Sequence, residues 1–73
     1  PMVGTVYLAP QPGAAPFIKL GDTVSVGQTL LIVEAMKVMN PIKSTQNGKV
    51  IHIFVKDTAP VEYDEPLLVI ETL

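Results

Sequence analysis

The chain has 73 residues, contains neither cysteine nor arginine, and carries a formal net charge of −2, with hydrophobic residues at 48%. This length and composition indicate one small packed domain. The absence of cysteine excludes disulfides, and with only one histidine the chain is unsuited to a structural zinc site. The five scattered lysines form no basic footprint for nucleic acid or a membrane surface, and no apolar run approaches the roughly 20 residues of a membrane span.

Short apolar runs follow one another along the chain and predict β-strands. Prolines and glycines separate runs rich in valine, isoleucine, leucine and threonine, and no window keeps a helical apolar period for three turns. We therefore predict an all-β fold, with turns at 21–22, 47–48 and 63–66. The predicted strands, in chain order, are Met2–Leu8, Phe17–Leu20, Thr29–Glu34, Val38–Lys43, Lys49–Val55 and Leu67–Glu71.

The chain contains an internal repeat. Residues 17–35 align without a gap with residues 54–72 at an offset of 37, with six identical positions. The offset is 44 further upstream, where Gly4-Thr5-Val6 resembles Gly48-Lys49-Val50, so the first half holds seven additional residues within Ala9–Pro16. Two similar halves in one small core predict a β-sandwich with a pseudo-two-fold axis.

The junction between the halves, Met36-Lys37, is flanked by apolar strands and predicts a tight hairpin. A lysine at a hairpin tip is ordinary by itself. However, Met36, Val38 and Met39 place apolar groups where a turn is usually polar, which often marks a recognition surface. Met-Lys is also not the Asn-Gly or Asp-Gly pair that such turns prefer, and strain concentrates at functional sites. Lys37 is therefore the candidate functional residue.

The segment Glu34-Ala35-Met36-Lys37-Val38-Met39 resembles the biotin attachment motif of biotin-dependent carboxylases, whose core is Ala-Met-Lys, usually followed by Met. The resemblance implies a flattened β-barrel of two four-stranded antiparallel sheets, with biotin attached covalently to Lys37. Val38 departs from the usual Met, and we expect biotinylation to survive this change. The implied cofactor site comprises Lys37, Met36, Val38, Glu34 and Ala35. Other matching segments are Pro1–Thr5, Gly21–Val24 and Val61–Leu67.

The extra residues of the first half resemble a protruding thumb that bacterial and plastid acetyl-CoA carboxylase carriers have at this place. In that family the thumb approaches the biotin ring, and carriers of pyruvate carboxylase lack it. The alternative is a plain surface loop, which is common for such a composition. The predicted thumb consists of Ala9, Pro10, Gln11, Pro12, Gly13, Ala14, Ala15 and Pro16.

The resemblance implies a non-catalytic carrier, in agreement with a sequence that shows neither a nucleophile–base pair nor a phosphate-binding loop. Biotin on Lys37 would carry a carboxyl group from biotin carboxylase to carboxyltransferase, giving malonyl-CoA for fatty acid synthesis. Biotin protein ligase is the third implied partner, and the implied compartment is the bacterial cytoplasm or the plastid stroma. We interpret residues 1–73 as a single domain from the C-terminal part of a longer subunit.

Two other classes of protein are alternatives. A lipoyl domain has the same two-fold fold but usually flanks its lysine with Asp and Ala, and a purely structural module would not need the motif. The role of Glu34 is open, because it either helps the ligase select its target or simply suits a strand end, as its repeat partner Glu71 does. We interpret His52 as a surface or packing residue.

Overall fold

The computed structural model of the chain describes residues 3–62 and 64–72, and over these residues it contains only β-strands, turns and loops. The strands form a four-stranded antiparallel sheet in the order β4-β3-β1-β6 and a three-stranded antiparallel sheet in the order β2-β5-β7. The all-β prediction is confirmed. The strand bounds are β1 Val3–Tyr7, β2 Thr23–Val24, β3 Thr29–Ala35, β4 Val38–Lys43, β5 Gly48–Ile53, β6 Pro60–Glu62 and β7 Leu68–Thr72.

The core is built from residues that the repeat pairs with one another. Each half contributes one member of every pair, and all six side chains are at most 9% exposed. Full burial of such a side chain contributes roughly 1.5–3 kcal/mol, so the two halves stabilise the common core to a similar extent. The paired core residues are Val6 with Val50, Ile18 with Val55, and Val24 with Val61.

The turns before β2 and β6 are equivalent as well. Gly21 donates its N–H to the carbonyl of Val50 at 2.8 Å, and Thr58 donates to the carbonyl of Val6 at 2.7 Å. Gly21 takes φ 92° and Thr58 takes φ 64°, although a β-branched residue rarely adopts positive φ. The fold therefore imposes the same turn on both halves, even where the second half lacks the glycine.

The prediction of a strand at Phe17–Leu20 is wrong. The Phe17 N–H donates to the carbonyl of Leu8, and the Lys19 N–H donates to the Asp22 carboxylate, so this segment is a corner between the two sheets. Its apolar pattern reflects the burial of Ile18 and not a sheet ladder. Strands β2 and β6 were not predicted, because they are two and three residues long.

The second sheet has three strands among the described residues, where the resemblance implied four. In the four-stranded sheet β4 lies beside β3, whereas among the described residues no strand takes the equivalent place beside β7. Met2, at the start of the first predicted strand, and Tyr63, in a predicted turn, lie outside the described residues.

Candidate functional site

The junction of the two halves is a two-residue hairpin, as predicted. Ala35 pairs with Val38 across β3 and β4, which leaves Met36 and Lys37 as the loop. Met36 has φ 53° and Lys37 has φ 65°, the positive values that a type I′ turn requires. For residues other than glycine, this conformation costs roughly 1–2 kcal/mol each. The pairing along β3 and β4 holds the turn in place and sustains this strain.

The tip of this hairpin exposes apolar groups around the lysine. Met36 is 88% exposed, Val38 is 56% exposed and Met39 is 50% exposed. Lys37 is exposed too, and within the described residues its ammonium group has no hydrogen-bonding partner. An exposed amine with an apolar rim can be acylated without loss of a buried contact, so the site fits covalent attachment of a cofactor.

The register of the sheet divides the motif between two faces. Val33 pairs with the fully buried Val6 and faces the core, and side chains alternate along a strand. Ala35 therefore shares the core-facing side, with Val38 opposite it. Glu34 and its partner Met39 project from the outer face of the four-stranded sheet. The motif thus offers a partner two different surfaces on either side of Lys37.

Glu34 receives a hydrogen bond that, among the described residues, its repeat partner Glu71 does not. The Tyr7 hydroxyl donates to Oε1 of Glu34 at 3.2 Å. This bond and the charge of the Glu34 carboxylate raise the pKa of Tyr7 above its ordinary value, with smaller contributions from burial and from Asp57. Sequence reasoning missed Tyr7. The available signal was its outward position on the strand that pairs with the motif strand.

Asn40 was missed as well, although it follows the motif directly. Its side-chain Nδ2 donates to the carbonyl of Val33 at 3.3 Å and to the carbonyl of Val38 at 3.1 Å. These bonds connect the two strands of the hairpin two residues below the turn. Asn40 therefore braces the strained tip from the core-facing side of the sheet.

The segment Ala9–Pro16 is a loop between β1 and β2, closed at its base by the hydrogen bond from the Phe17 N–H to the carbonyl of Leu8 at 2.8 Å. The Leu8 N–H in turn donates to the Asp57 carboxylate at 2.8 Å. The base of this loop follows Tyr7, whose partner on β3 is Ile32. At ~3.3 Å per residue, Ile32 lies roughly 13 Å along β3 from Met36, which is the distance that the loop would have to span to reach the hairpin tip. An eight-residue loop can extend about as far, so its length permits contact with the hairpin.

An open groove of about 290 Å³ lies below the hairpin, with Gly4, Val33, Ala35, Asn40 and Ile42 among its lining residues. It lies on the core-facing side of the four-stranded sheet. The groove is therefore part of the core-facing surface below the hairpin, and we assign no ligand to it.

His52, the one histidine of the chain, has an exposed side chain. His52 stacks on Phe54 with ring centroids 5.7 Å apart and an interplanar angle of 3°, as expected for a surface packing residue. Residues 3–62 and 64–72 hold no cluster of histidine, aspartate and glutamate suited to a metal ion. Over the same ranges, no helix has the length and apolar character needed to span a bilayer.

A two-fold β-sandwich that presents a lysine at a strained, apolar hairpin tip defines a carrier domain, a class that displays a covalently attached group to other proteins. Residues 1–70 match the biotin/lipoyl family model described as "Biotin-requiring enzyme". The chain belongs to this family, which confirms the resemblance seen in the sequence.

Similar proteins are carriers of one enzyme. The chain is 53% identical over 68 residues to the biotin carboxyl carrier protein of acetyl-CoA carboxylase from Nostoc sp., covering 93% of this chain and 37% of that protein. It is 54% identical over 71 residues to the chloroplastic carrier protein 1 of Arabidopsis thaliana, covering 97% of this chain and 25% of that protein. For the carrier protein of Haemophilus influenzae the identity is 52% over 71 residues, covering 97% of this chain and 46% of that protein. The chain thus spans less than half the length of these relatives.

Proposed function

We propose that this chain is the biotin carrier domain of an acetyl-CoA carboxylase and that Lys37 is the residue that carries the biotin. The observation that supports this most strongly is the exposed Lys37 amine at the tip of a strained hairpin, between the apolar side chains of Met36 and Val38. The similar bacterial and chloroplastic carriers support the choice of enzyme. The domain itself supplies no catalytic residues.

Attachment of the cofactor uses Lys37 as a nucleophile. Its Nζ attacks the acyl carbonyl of biotinyl-adenylate on biotin protein ligase, an amide bond forms, and AMP leaves. Only the neutral amine can attack, so the ligase has to remove the lysine proton. The product amide is uncharged, and the apolar Met36 and Val38 then flank a neutral arm. A tip of this kind can enter the active site of a partner without burying a charge.

The role of the loaded domain is delivery. Biotin, when bound, supplies the ureido nitrogen that takes up a carboxyl group at biotin carboxylase and gives it up at carboxyltransferase, where acetyl-CoA becomes malonyl-CoA. The rigid hairpin holds Lys37 clear of the sheets, and Asn40 keeps its two strands together. Tethering provides an effective concentration on the order of millimolar, so weak docking of the tip at each enzyme is sufficient.

Two further features have roles in this proposal. Glu34 projects from the outer face three residues before the lysine, where the ligase can contact its carboxylate, while Ala35 keeps the core-facing side of the motif small. The thumb, Ala9–Pro16, approaches the biotin ring from its anchored base at Leu8. We place the full subunit in the bacterial cytoplasm or the plastid stroma, according to the two kinds of organism in which its relatives occur.

Transfer of labelled carboxyl groups tests the function. The biotinylated chain is incubated with biotin carboxylase, ATP and radiolabelled bicarbonate, isolated, and then mixed with carboxyltransferase and acetyl-CoA. We expect label first on the chain and then in malonyl-CoA, and neither with the Lys37→Arg chain. Labelling of the chain without transfer to acetyl-CoA would assign it to a different biotin enzyme.

A further inference from the structure

We infer that Tyr7 is a positioning residue for biotinylation: its hydroxyl holds the Glu34 carboxylate in a fixed orientation on the outer face of the four-stranded sheet, where the ligase contacts it. This inference rests on the proposed function. It adds a residue of β1, thirty positions before the lysine, to the recognition surface of the carrier.

The geometry of the sheet makes this contact possible. Thr5 is the register partner of Glu34, and Tyr7 lies two residues further along β1, so Tyr7 and Glu34 are diagonal neighbours on the same face. Such neighbours are about 7–8 Å apart, within the reach of an aromatic side chain. The Tyr7 hydroxyl donates to Oε1 of Glu34 at 3.2 Å. The other carboxylate oxygen accepts no hydrogen bond from the residues that the structure describes.

The repeat provides an internal comparison. Glu71 is equivalent to Glu34 at the offset of 37, and it pairs with Lys49 as Glu34 pairs with Thr5. The register of β5 then shifts between Val50 and His52, so His52 takes the ladder position of Tyr7, opposite Val69. The second half has no tyrosine in this place, and among the described residues the Glu71 carboxylate receives no hydrogen bond. The contact with the glutamate therefore lies in the half that leads into Lys37.

The protonation of Tyr7 suits this role. The hydrogen bond to Glu34 and the nearby negative charge raise the pKa of Tyr7, because an ionised phenolate would face the carboxylate. Asp57, whose carboxylate binds the Leu8 N–H beside Tyr7, acts in the same direction. The raised pKa keeps the phenol protonated, and able to donate to Glu34, up to a higher pH than for an ordinary tyrosine.

A carboxylate that is already oriented loses less conformational freedom when a partner binds it. The cost of immobilising one such side chain at an interface corresponds to roughly two- to tenfold in affinity. We therefore expect Tyr7→Phe to raise the KM of biotin ligase for the chain by about two- to tenfold and to leave kcat unchanged. A loss that appeared in kcat instead would place Tyr7 elsewhere in the reaction.

The experiment measures steady-state biotinylation with biotin protein ligase, ATP and biotin while the concentration of the chain is varied. The variants are Tyr7→Phe, Glu34→Ala, the double variant, and Glu71→Ala as the matched control from the second half. We expect a raised KM for each single variant of the Tyr7–Glu34 pair. The double variant should match Glu34→Ala, because Tyr7 acts through Glu34, and the control should behave as the original chain.

Three outcomes would overturn the inference and leave the proposed function standing: an unchanged KM for Tyr7→Phe, an equal effect of Tyr7→Phe in the Glu34→Ala background, or a Tyr7→Phe chain that does not fold. The last outcome would mean that the hydroxyl serves the fold. An original chain that accepts no biotin would instead overturn the proposed function.

Discussion

Replacement of Met36 by asparagine tests whether the hairpin tip stores strain. Met36 has φ 53°, which costs a residue of this type roughly 1–2 kcal/mol, whereas asparagine is a preferred residue in a type I′ turn. Because Met36 is 88% exposed, its side chain contributes little packing to the folded state. We expect the free energy of unfolding to rise by about 0.5–1 kcal/mol, which corresponds to roughly 2–8 °C in Tm for a domain of this size.

Thr58→Asn is the matched control, because Thr58 also takes positive φ, at 64°, but lies in the turn before β6. Thermal unfolding should show a higher Tm for both variants. After biotinylation, only Met36→Asn should slow carboxylation of the chain by biotin carboxylase, by about fivefold for ~1 kcal/mol of lost docking. A Tm for Met36→Asn that is unchanged or lower would refute the strain argument. Equal carboxylation rates for the two variants would refute the docking role of Met36.

Three further predictions concern the strands behind the tip. Gly4→Ala should lower the free energy of unfolding by about 1–3 kcal/mol in urea denaturation, because the added Cβ would lie 2.8 Å from the backbone carbonyl oxygen of Glu34; an undiminished stability would contradict this close approach. Asn40→Ala should cost about 0.5–1 kcal/mol in the same assay and raise amide exchange at the hairpin, and unchanged exchange would remove Asn40 as its brace. Glu34→Ala should lower the pKa of Tyr7. This pKa is measured by ultraviolet titration of the phenols, and the titration that disappears in Tyr7→Phe is the one that belongs to Tyr7. Folding favours the protonated phenol, so this contact contributes stability below the ordinary tyrosine pKa of 10.0 and loses it as the pH rises through the pKa of folded Tyr7.

Much of the architecture follows from the repeat alone. The offset of 37 paired Val24 with Val61 and Ile18 with Val55, and the structure buries all four side chains together. The hairpin at Met36-Lys37 was also predicted, because two apolar strands met there with only two residues between them. These features depend on patterns that the linear sequence carries directly, namely apolar spacing and chain reversal.

Other features depend on contacts between distant parts of the chain. The apolar residues of Phe17–Leu20 are compatible with a strand or with a corner that buries Ile18, and the hydrogen bonds from the backbone of Phe17 and Lys19 identify the corner. The bond between Tyr7 and Glu34 joins residues 27 positions apart and depends on the register of β1 against β3. The role of residues 1–73 as one domain of a longer subunit stays a prediction, consistent with the share of each relative that the chain covers.

The most direct test of the account is the intact mass of the chain after incubation with biotin ligase, ATP and biotin, with Lys37→Arg measured beside it. The chain offers five lysines, and we predict the gain of one biotinyl group in the original chain and none in the variant. A gain that persists in Lys37→Arg would place the site on another lysine. No gain in a folded chain, together with modification by a lipoyl ligase, would contradict the biotin assignment.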